Sequence, residues 1–218
     1  MDEADATTIG ALVQGIVHEV RNPLFALTAT LDAFEQRFGG DGRAYVDVMR
    51  AELKRVGDVM GDVHEYGTPL GARRAASATT LLEPLLDSLC KAAVARDVVV
   101  TSRLAAELPL VSVDAARLSG ALGRLFDYAL ERTPSGGSVR VQGHAAAGGL
   151  TLVVIDSGPV LSAAELRDAF VPFALRRGGR WSLDLAIVAR VCAGHGGQVS
   201  IANQSSDGVR FTVELPGP

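Results

Sequence analysis

The sequence predicts an α+β protein in two parts. The first is an antiparallel helical hairpin that pairs with a second copy as a dimeric four-helix bundle; the second is a sheet with helices on one face. Two observations lead there. From Ile9 to Val63 the apolar residues recur at helical spacing and no alternating pattern interrupts them. Further along, helical segments are mixed with short β-branched stretches, as in a layered sheet-and-helix domain. The 218 residues are 48% hydrophobic, which allows each part a core of its own.

The first helix carries its apolar stripe on Leu12, Ile16, Val20, Leu24, Leu27, Leu31, Phe34 and Phe38, and Gly39–Gly42 stop it. A second helix starts near Arg43, carries Tyr45, Met49, Leu53, Val56, Met60 and Val63, and ends where Gly67 and Pro69 break the pattern. A lone hairpin buries too little to be stable, so a homodimer is expected. The expected boundaries are 1–68 for the hairpin, 69–77 for a linker and 78–218 for the second domain.

In the second domain, TLLEPLLDSLCKAAVARD reads as a helix, and VVVTSRL and PLVSVD as short strands. AARLSGALGRLFDYALERT is a helix ended by PSGG. SVRVQGHAAAGGLTLVVIDSG reads as two strands joined by an Ala/Gly turn. Helices near Ala163–Phe170 and Leu183–Ala193 follow, and QVSIANQ and GVRFTVEL close the chain as strands.

Composition excludes several classes. A net charge of −4 provides no electrostatic footprint for nucleic acid. Cys90 and Cys192 are too few for a disulfide framework. The opening MDEADATT is acidic and is no signal peptide, and the longest apolar runs, such as LTLVVI, are too short to span a membrane. The expectation is a cytoplasmic protein, with Met1 read as the start of a complete chain.

The chemistry concentrates in GIVHEVRNPLFAL. His18 falls off the apolar stripe, with Glu19 beside it and Asn22 one turn on. Pro23 cannot donate a backbone bond to the Glu19 carbonyl, so the helix bends just past the histidine. A neutral imidazole is a good nucleophile toward phosphorus, and an adjacent carboxylate orients it and takes its proton. His64, His144 and His195 are assigned no chemistry, and no metal site is expected.

HEVRNPL resembles the H-box of two-component sensor histidine kinases. Asp114–Val141 resembles the start of their ATP-binding domain, VVIDSG their G1 box, FVPF their F box, and LAIVARVCAGHGG the region after their G2 box. The resemblance runs from about Thr8 to Leu215. It implies an α/β-sandwich (Bergerat/GHKL-like) second domain, His18 as phosphoacceptor, Glu19 as base and Asn22 in a phosphatase role. Its implied partner is a response-regulator receiver domain, which docks on outward residues such as Phe25, Thr28 and Ala29.

The sequence also departs from that pattern. Arg124 and Tyr128 stand where the N box has asparagines, and a phenol is a poor Mg²⁺ ligand. In the G1 box Asp156 and Gly158 remain but Pro159 and Val160 follow; in the G2 box Arg180, Ser182 and Asp184 replace glycines. Glycine allows backbone N–H groups to approach phosphate closely, and side chains block this. Asp184 would set a carboxylate against triphosphate, a repulsion of roughly 4 kcal/mol at ~4 Å and an effective dielectric of ~20. Trp181 would plug the pocket. Tyr128, Asp156, Gly158 and Asp184 thus line a vestigial nucleotide pocket.

An intact phosphoacceptor helix beside a dismantled pocket resembles the dimeric histidine phosphotransferases of phosphorelays. The expected function is phosphoryl shuttling between receiver aspartates through His18, with no cofactor here and Mg²⁺ in the receiver. The alternatives are an active kinase with an unorthodox pocket, and a non-catalytic pseudokinase that regulates a response regulator or a kinase.

Overall fold

The computed structural model describes residues 20–21, 24–37, 43–146, 148–177, 180–204 and 208–218. His18, Glu19 and Asn22 lie outside the described residues, as do Pro23 and Gly39–Gly42. The chain divides into two compact units, Met1–Pro69 and Leu70–Pro218.

In the first unit, helix α1 covers residues 24–37 and helix α2 covers Arg43–Gly67. Arg50 of α2 ties them, with Nη2 2.6 Å from Asp32 Oδ1 and 2.8 Å from Glu35 Oε2. Val46 is buried, but the apolar stripe is largely open. Leu27, Leu31, Met49, Leu53 and Val56 line an apolar cleft of about 310 Å³ with Glu52 at its side. Leu27 is 52% exposed, Met49 47% and Tyr45 74%. Phe25 and Ala29 are exposed one turn apart, and Thr28 donates its hydroxyl to the Leu24 carbonyl at 2.9 Å.

The second unit begins with a correction. The segment expected as linker contains a strand, β1 (Arg74–Ser77), which pairs antiparallel with β3 (Leu110–Val113). RAAS carries no alternation of its own, so only its partner makes it a strand. Between these two run α3 (Ala78–Val94), whose N-cap Ser77 accepts from Thr80 N, and β2 (Val99–Leu104). Then follow α4 (Ala115–Arg132), β4 (Ser138–Ala146), β5 (Gly149–Asp156) and α5 (Ala163–Asp168), which opens on a Ser162–Glu165 capping box. Two-residue strands β6 (Arg176–Arg177) and β7 (Arg180–Trp181) pair with each other. Helix α6 (Asp184–Gly194), β8 (Gln198–Asn203) and β9 (Val209–Leu215) complete the unit.

The main sheet has the order β2-β4-β5-β9-β8, with β2 parallel to β4 and the other neighbours antiparallel. This is an α+β domain with a mixed sheet. Opposed residues share a face, so the pairs Val141–Val154, Leu152–Val213 and Val154–Phe211 build one apolar layer. Helix α4 packs on α6, α3 and β5, and its buried side chains include Leu118, Leu122, Leu125 and Phe126. Each such side chain contributes roughly 1.5–3 kcal/mol.

One corner fastens the chain ends of these elements. Asp114 caps α4 by accepting from Arg117 N at 3.2 Å, and its other oxygen accepts from Gly71 N at 2.8 Å. Its own N–H donates to His195 Nε2 at 2.9 Å, while His195 Nδ1 lies 2.8 Å from the Val191 carbonyl. The buried ring is therefore the neutral Nδ1–H tautomer, and burial pushes its pKa below the usual histidine value. Among the described residues no helix is long and apolar enough to cross a membrane.

Candidate functional site

Helix α4 presents Arg124, Tyr128 and Arg132 at successive i, i+4 positions, which places them in one row along the helix. Two segments bring carboxylates to that row. The end of β5 supplies Asp156, and the first residue of α6 supplies Asp184.

At the β5 end, Arg132 Nε donates to Asp156 Oδ2 at 3.2 Å, and the aspartate side chain is wholly buried. The other oxygen, Oδ1, accepts from Gly158 N at 2.8 Å and from Val209 N at 3.3 Å. Burial raises the Asp156 pKa, and the Arg132 charge and the two amides oppose that rise. Arg132 Nη2 also donates to the Pro159 carbonyl, so the guanidinium spans the turn that follows β5. A Cβ at Gly158 would stand 2.5 Å from the Arg132 carbonyl oxygen, so glycine is required there by close packing. Asn203 pins the next residues with a two-way bond, accepting from Leu161 N at 2.9 Å and donating to Leu161 O at 2.7 Å.

Tyr128 sits between the arginines and is 2% exposed. Its ring meets Phe211 edge-on at 5.9 Å, and the Arg132 guanidinium lies 5.8 Å from its centroid. Burial raises its pKa, so the phenol stays protonated at neutral pH.

At the α6 end, Arg124 Nη1 donates to Asp184 Oδ1 at 2.7 Å, with the Asp184 side chain 5% exposed. Ser182 Oγ donates to Asp184 Oδ2 at 2.7 Å and accepts from Asp184 N at 3.0 Å. Leu183, the N-cap residue, has no side chain for this task, so Ser182 performs it from one position earlier. Asp184, expected in the pocket as an opposed negative charge, lies in an ion pair with Arg124. Its charge is met by Arg124 and by the positive end of α6.

Four of the expected residues thus come together: Tyr128, Asp156 and Gly158 around Arg132, and Asp184 against Arg124. Phe25, Thr28 and Ala29 belong to α1 in the first unit. The arrangement also brings in residues not singled out as site members, namely Arg132, Ser182 and Asn203. Arg132 had a sequence signal, its four-residue step from Tyr128. Ser182 had one too, its place where the sequence departs from a glycine-rich pattern, whereas Asn203 is recruited only by loop geometry. Among the described residues no group of three or more His, Cys, Asp or Glu side chains could hold a metal ion.

Comparison with known proteins places this geometry. Residues 113–218 match the family model described as "Histidine kinase-, DNA gyrase B-, and HSP90-like ATPase". Over 211 residues the chain is 28% identical to sensor histidine kinase ZraS of Escherichia coli (strain K12), covering 95% of this chain and 45% of that protein. It is 27% identical over 217 residues to the adaptive-response sensory kinase SasA of Synechococcus sp. (strain CC9311), covering 94% and 56% of the two chains. The chain therefore spans about half the length of the curated relatives it matches. Among solved structures, full-length ShkA in complex with AMPPNP is similar with a TM-score of 0.80 at 22% identity, over 94% of this chain and 45% of that one. Histidine kinase ThkA in complex with response regulator TrrA is similar with a TM-score of 0.69 at 20% identity, over 96% and 62%. Residues 113–218 are thus similar to that ATPase family, and the relatives and solved structures named here are histidine kinases.

Proposed function

We propose that this chain is a homodimeric histidine phosphotransferase of a two-component phosphorelay. It moves phosphoryl groups between receiver-domain aspartates through His18, without a requirement for nucleotide. Its relatives are sensor histidine kinases, which supports a role in two-component signalling.

The observation that carries the finer reading is the pairing of both loop carboxylates with arginines of α4. Asp156 is bonded to Arg132, and Asp184 to Arg124. On this reading the residues present do not fit Mg-ATP. Asp156 already accepts from one guanidinium and two amides, Tyr128 is buried against Phe211, and a carboxylate fills the first turn of α6.

In the proposed transfer, the His18 imidazole attacks the phosphorus of a receiver's aspartyl phosphate. The P–O bond to the aspartate breaks as the P–N bond forms, and the imidazole proton passes to Glu19. Mg²⁺ sits in the receiver's acidic pocket and offsets charge there. Asn22, one turn from His18, has the amide chemistry to position a water for a separate reaction, hydrolysis of the receiver's aspartyl phosphate to free aspartate and inorganic phosphate. The receiver docks on Phe25, Thr28 and Ala29, and the exposed positions of Phe25 and Ala29 support this. The complex of ThkA with a response regulator supports this class of partner. The open apolar cleft of the hairpin supports the homodimer, because a second hairpin laid on it closes a four-helix bundle.

A second reading, an active kinase with an unorthodox pocket, is favoured by the family match and by the AMPPNP complex of ShkA. The deciding experiment supplies label from two sources. The relay reading expects acid-labile label on His18 from a phosphorylated receiver and none from radiolabelled ATP. Labelling from ATP, with saturable binding in the micromolar range, overturns it in favour of the kinase. No transfer from any receiver of the same genome overturns it in favour of the non-catalytic class.

A further inference from the structure

The two faces of the main sheet carry different chemistry. Val141, Val154 and Phe211 form one row of the buried apolar layer, so their chain neighbours Arg140, Ile155 and Arg210 point to the opposite side. The register sets Arg140 against Ile155 and Ile155 against Arg210, which puts two arginines astride one apolar residue. On β2, Arg103 opposes Gln142, two residues along β4 from Arg140, and so joins the same face.

All three arginines are exposed, whereas Ile155 between two of them is 5% exposed. Among the described residues none of the three pairs with a carboxylate. Glu214 is the one acidic strand residue described on this face. It lies four residues along β9 from Arg210, roughly 13 Å away, and already accepts from the Gln198 amide. That distance exceeds a Debye length at physiological salt, so Glu214 offsets little of the charge. Arg124 and Arg132 are each bonded to a buried carboxylate, and these three differ from them in having no such bond. A chain of net charge −4 thus holds three cations together on one side of a sheet.

The spacing of the three suits a particular partner. Neighbouring strands lie about 4.8 Å apart, so Arg140 and Arg210, with one strand between them, stand roughly 10 Å apart. Arg210 and Arg103 are three strand spacings and one two-residue step apart, roughly 16 Å. Along an α-helix, residues seven apart rise about 10.5 Å and residues eleven apart about 16.5 Å, and both return to the same side. A helix laid across the strands with carboxylates at those steps meets all three guanidinium groups, which bind carboxylates through paired N–H bonds. The central strands β4, β5 and β9 spend their backbone groups on each other and on β2 and β8, so this face engages a partner through side chains and not by strand addition.

We propose that the sheet face bearing Arg103, Arg140 and Arg210 docks an acidic helix of a partner protein. The surface is separate from the phosphotransfer reading and stands or falls without it.

The test titrates the isotope-labelled full chain with a capped, alanine-rich helical peptide and follows backbone amide shifts by NMR, which registers weak binding. The peptide carries three glutamates on one side, spaced seven and then four residues apart. Saturable shifts are expected in β2, β4, β5 and β9 around the three arginines. Arg140→Gln combined with Arg210→Gln is expected to weaken binding at least about fivefold. Arg103→Gln alone is expected to cause a smaller loss. All three positions are exposed, where substitutions disturb the fold little, and the amide spectrum of each variant checks this. Salt at about 0.5 M is expected to weaken wild-type binding as well. A peptide of the same composition with its glutamates five residues apart, and so spread around the helix, is expected to bind more weakly. The proposal is overturned if folded wild type shows no saturable shift, if the shifts centre on Arg124 or Arg132, if the variants bind unchanged, or if the two peptides bind alike. Tighter binding of a single-stranded oligodeoxynucleotide, or of phosphatidylglycerol vesicles, than of the acidic peptide overturns it in favour of those classes.

Discussion

In the hairpin, Leu27, Met49 and Val56 stay exposed along a cleft, whereas in the α/β domain Tyr128, Asp156 and Asp184 are buried and bonded within the chain. The hairpin leaves apolar surface that water penalises, which is what a chain built to meet another protein retains. The α/β domain pairs these buried polar groups internally. Paired buried charges add little net stability but are costly to break. The contrast is one of exposed apolar surface in the first unit and internally paired polar groups in the second.

The comparison breaks first at His18. Replacing His18 with Ala is expected to abolish label uptake from a phosphorylated receiver while leaving receiver binding nearly unchanged, since the ring adds little contact area. Residual acid-labile label on that variant would remove His18 from the phosphoacceptor role.

Next comes Arg132, whose loss leaves the buried Asp156 without its guanidinium. Arg132→Ala is expected to lower unfolding free energy by about 3–5 kcal/mol in denaturant titration. A change within about 0.5 kcal/mol, of the size seen at surface sites, would mean that the pair is incidental.

On the hairpin side, an Asp at Leu31 or Leu53 would set a charge in the cleft those residues line. In a dimer this buries an unpartnered charge at a cost of several kcal/mol, and sedimentation should shift to monomer. A wild type that already sediments as a folded monomer at micromolar concentration would end the bundle argument.

A smaller effect follows from His195. Its folded pKa lies below the ordinary value of about 6.5 because the ring is buried. The unfolded chain then binds the proton first, so stability falls as pH drops below about 6.5 and is regained as pH rises. Denaturant midpoints measured across that window should decline toward acid in wild type. They should flatten in His195→Gln, which cannot titrate. Asp156, with its pKa raised by burial, acts in the opposite sense near the ordinary carboxylate range and so does not produce this loss.

The smallest change concerns Ala29, exposed on α1. A bulky charged residue there should weaken receiver docking about tenfold, or roughly 1.4 kcal/mol, and leave His18 competent at saturating receiver. Unchanged affinity would move the docking surface elsewhere.

What the sequence determined by itself was periodic. The 3.6-residue rhythm of AARLSGALGRLFDYALER and the β-branched runs of SVRVQGHAA, GLTLVVID and VRFTVEL place α4, β4, β5 and β9, because α4, β4 and β9 bury one side and the continuous apolar run of β5 is buried on both. The order of motifs also brought Tyr128, Asp156, Gly158 and Asp184 into one expected pocket. Tertiary structure alone decided the rest. RAAS became β1 only because Leu110–Val113 lies beside it, and the β6–β7 ladder, two residues a side, is too short to show a period. The partners of the two carboxylates were equally hidden. Arg132 lies 24 residues from Asp156 and Arg124 lies 60 from Asp184, so no local rule joins them. A charge read from sequence has a sign but no counter-ion; packing α4 between β5 and α6 supplied an arginine for each carboxylate.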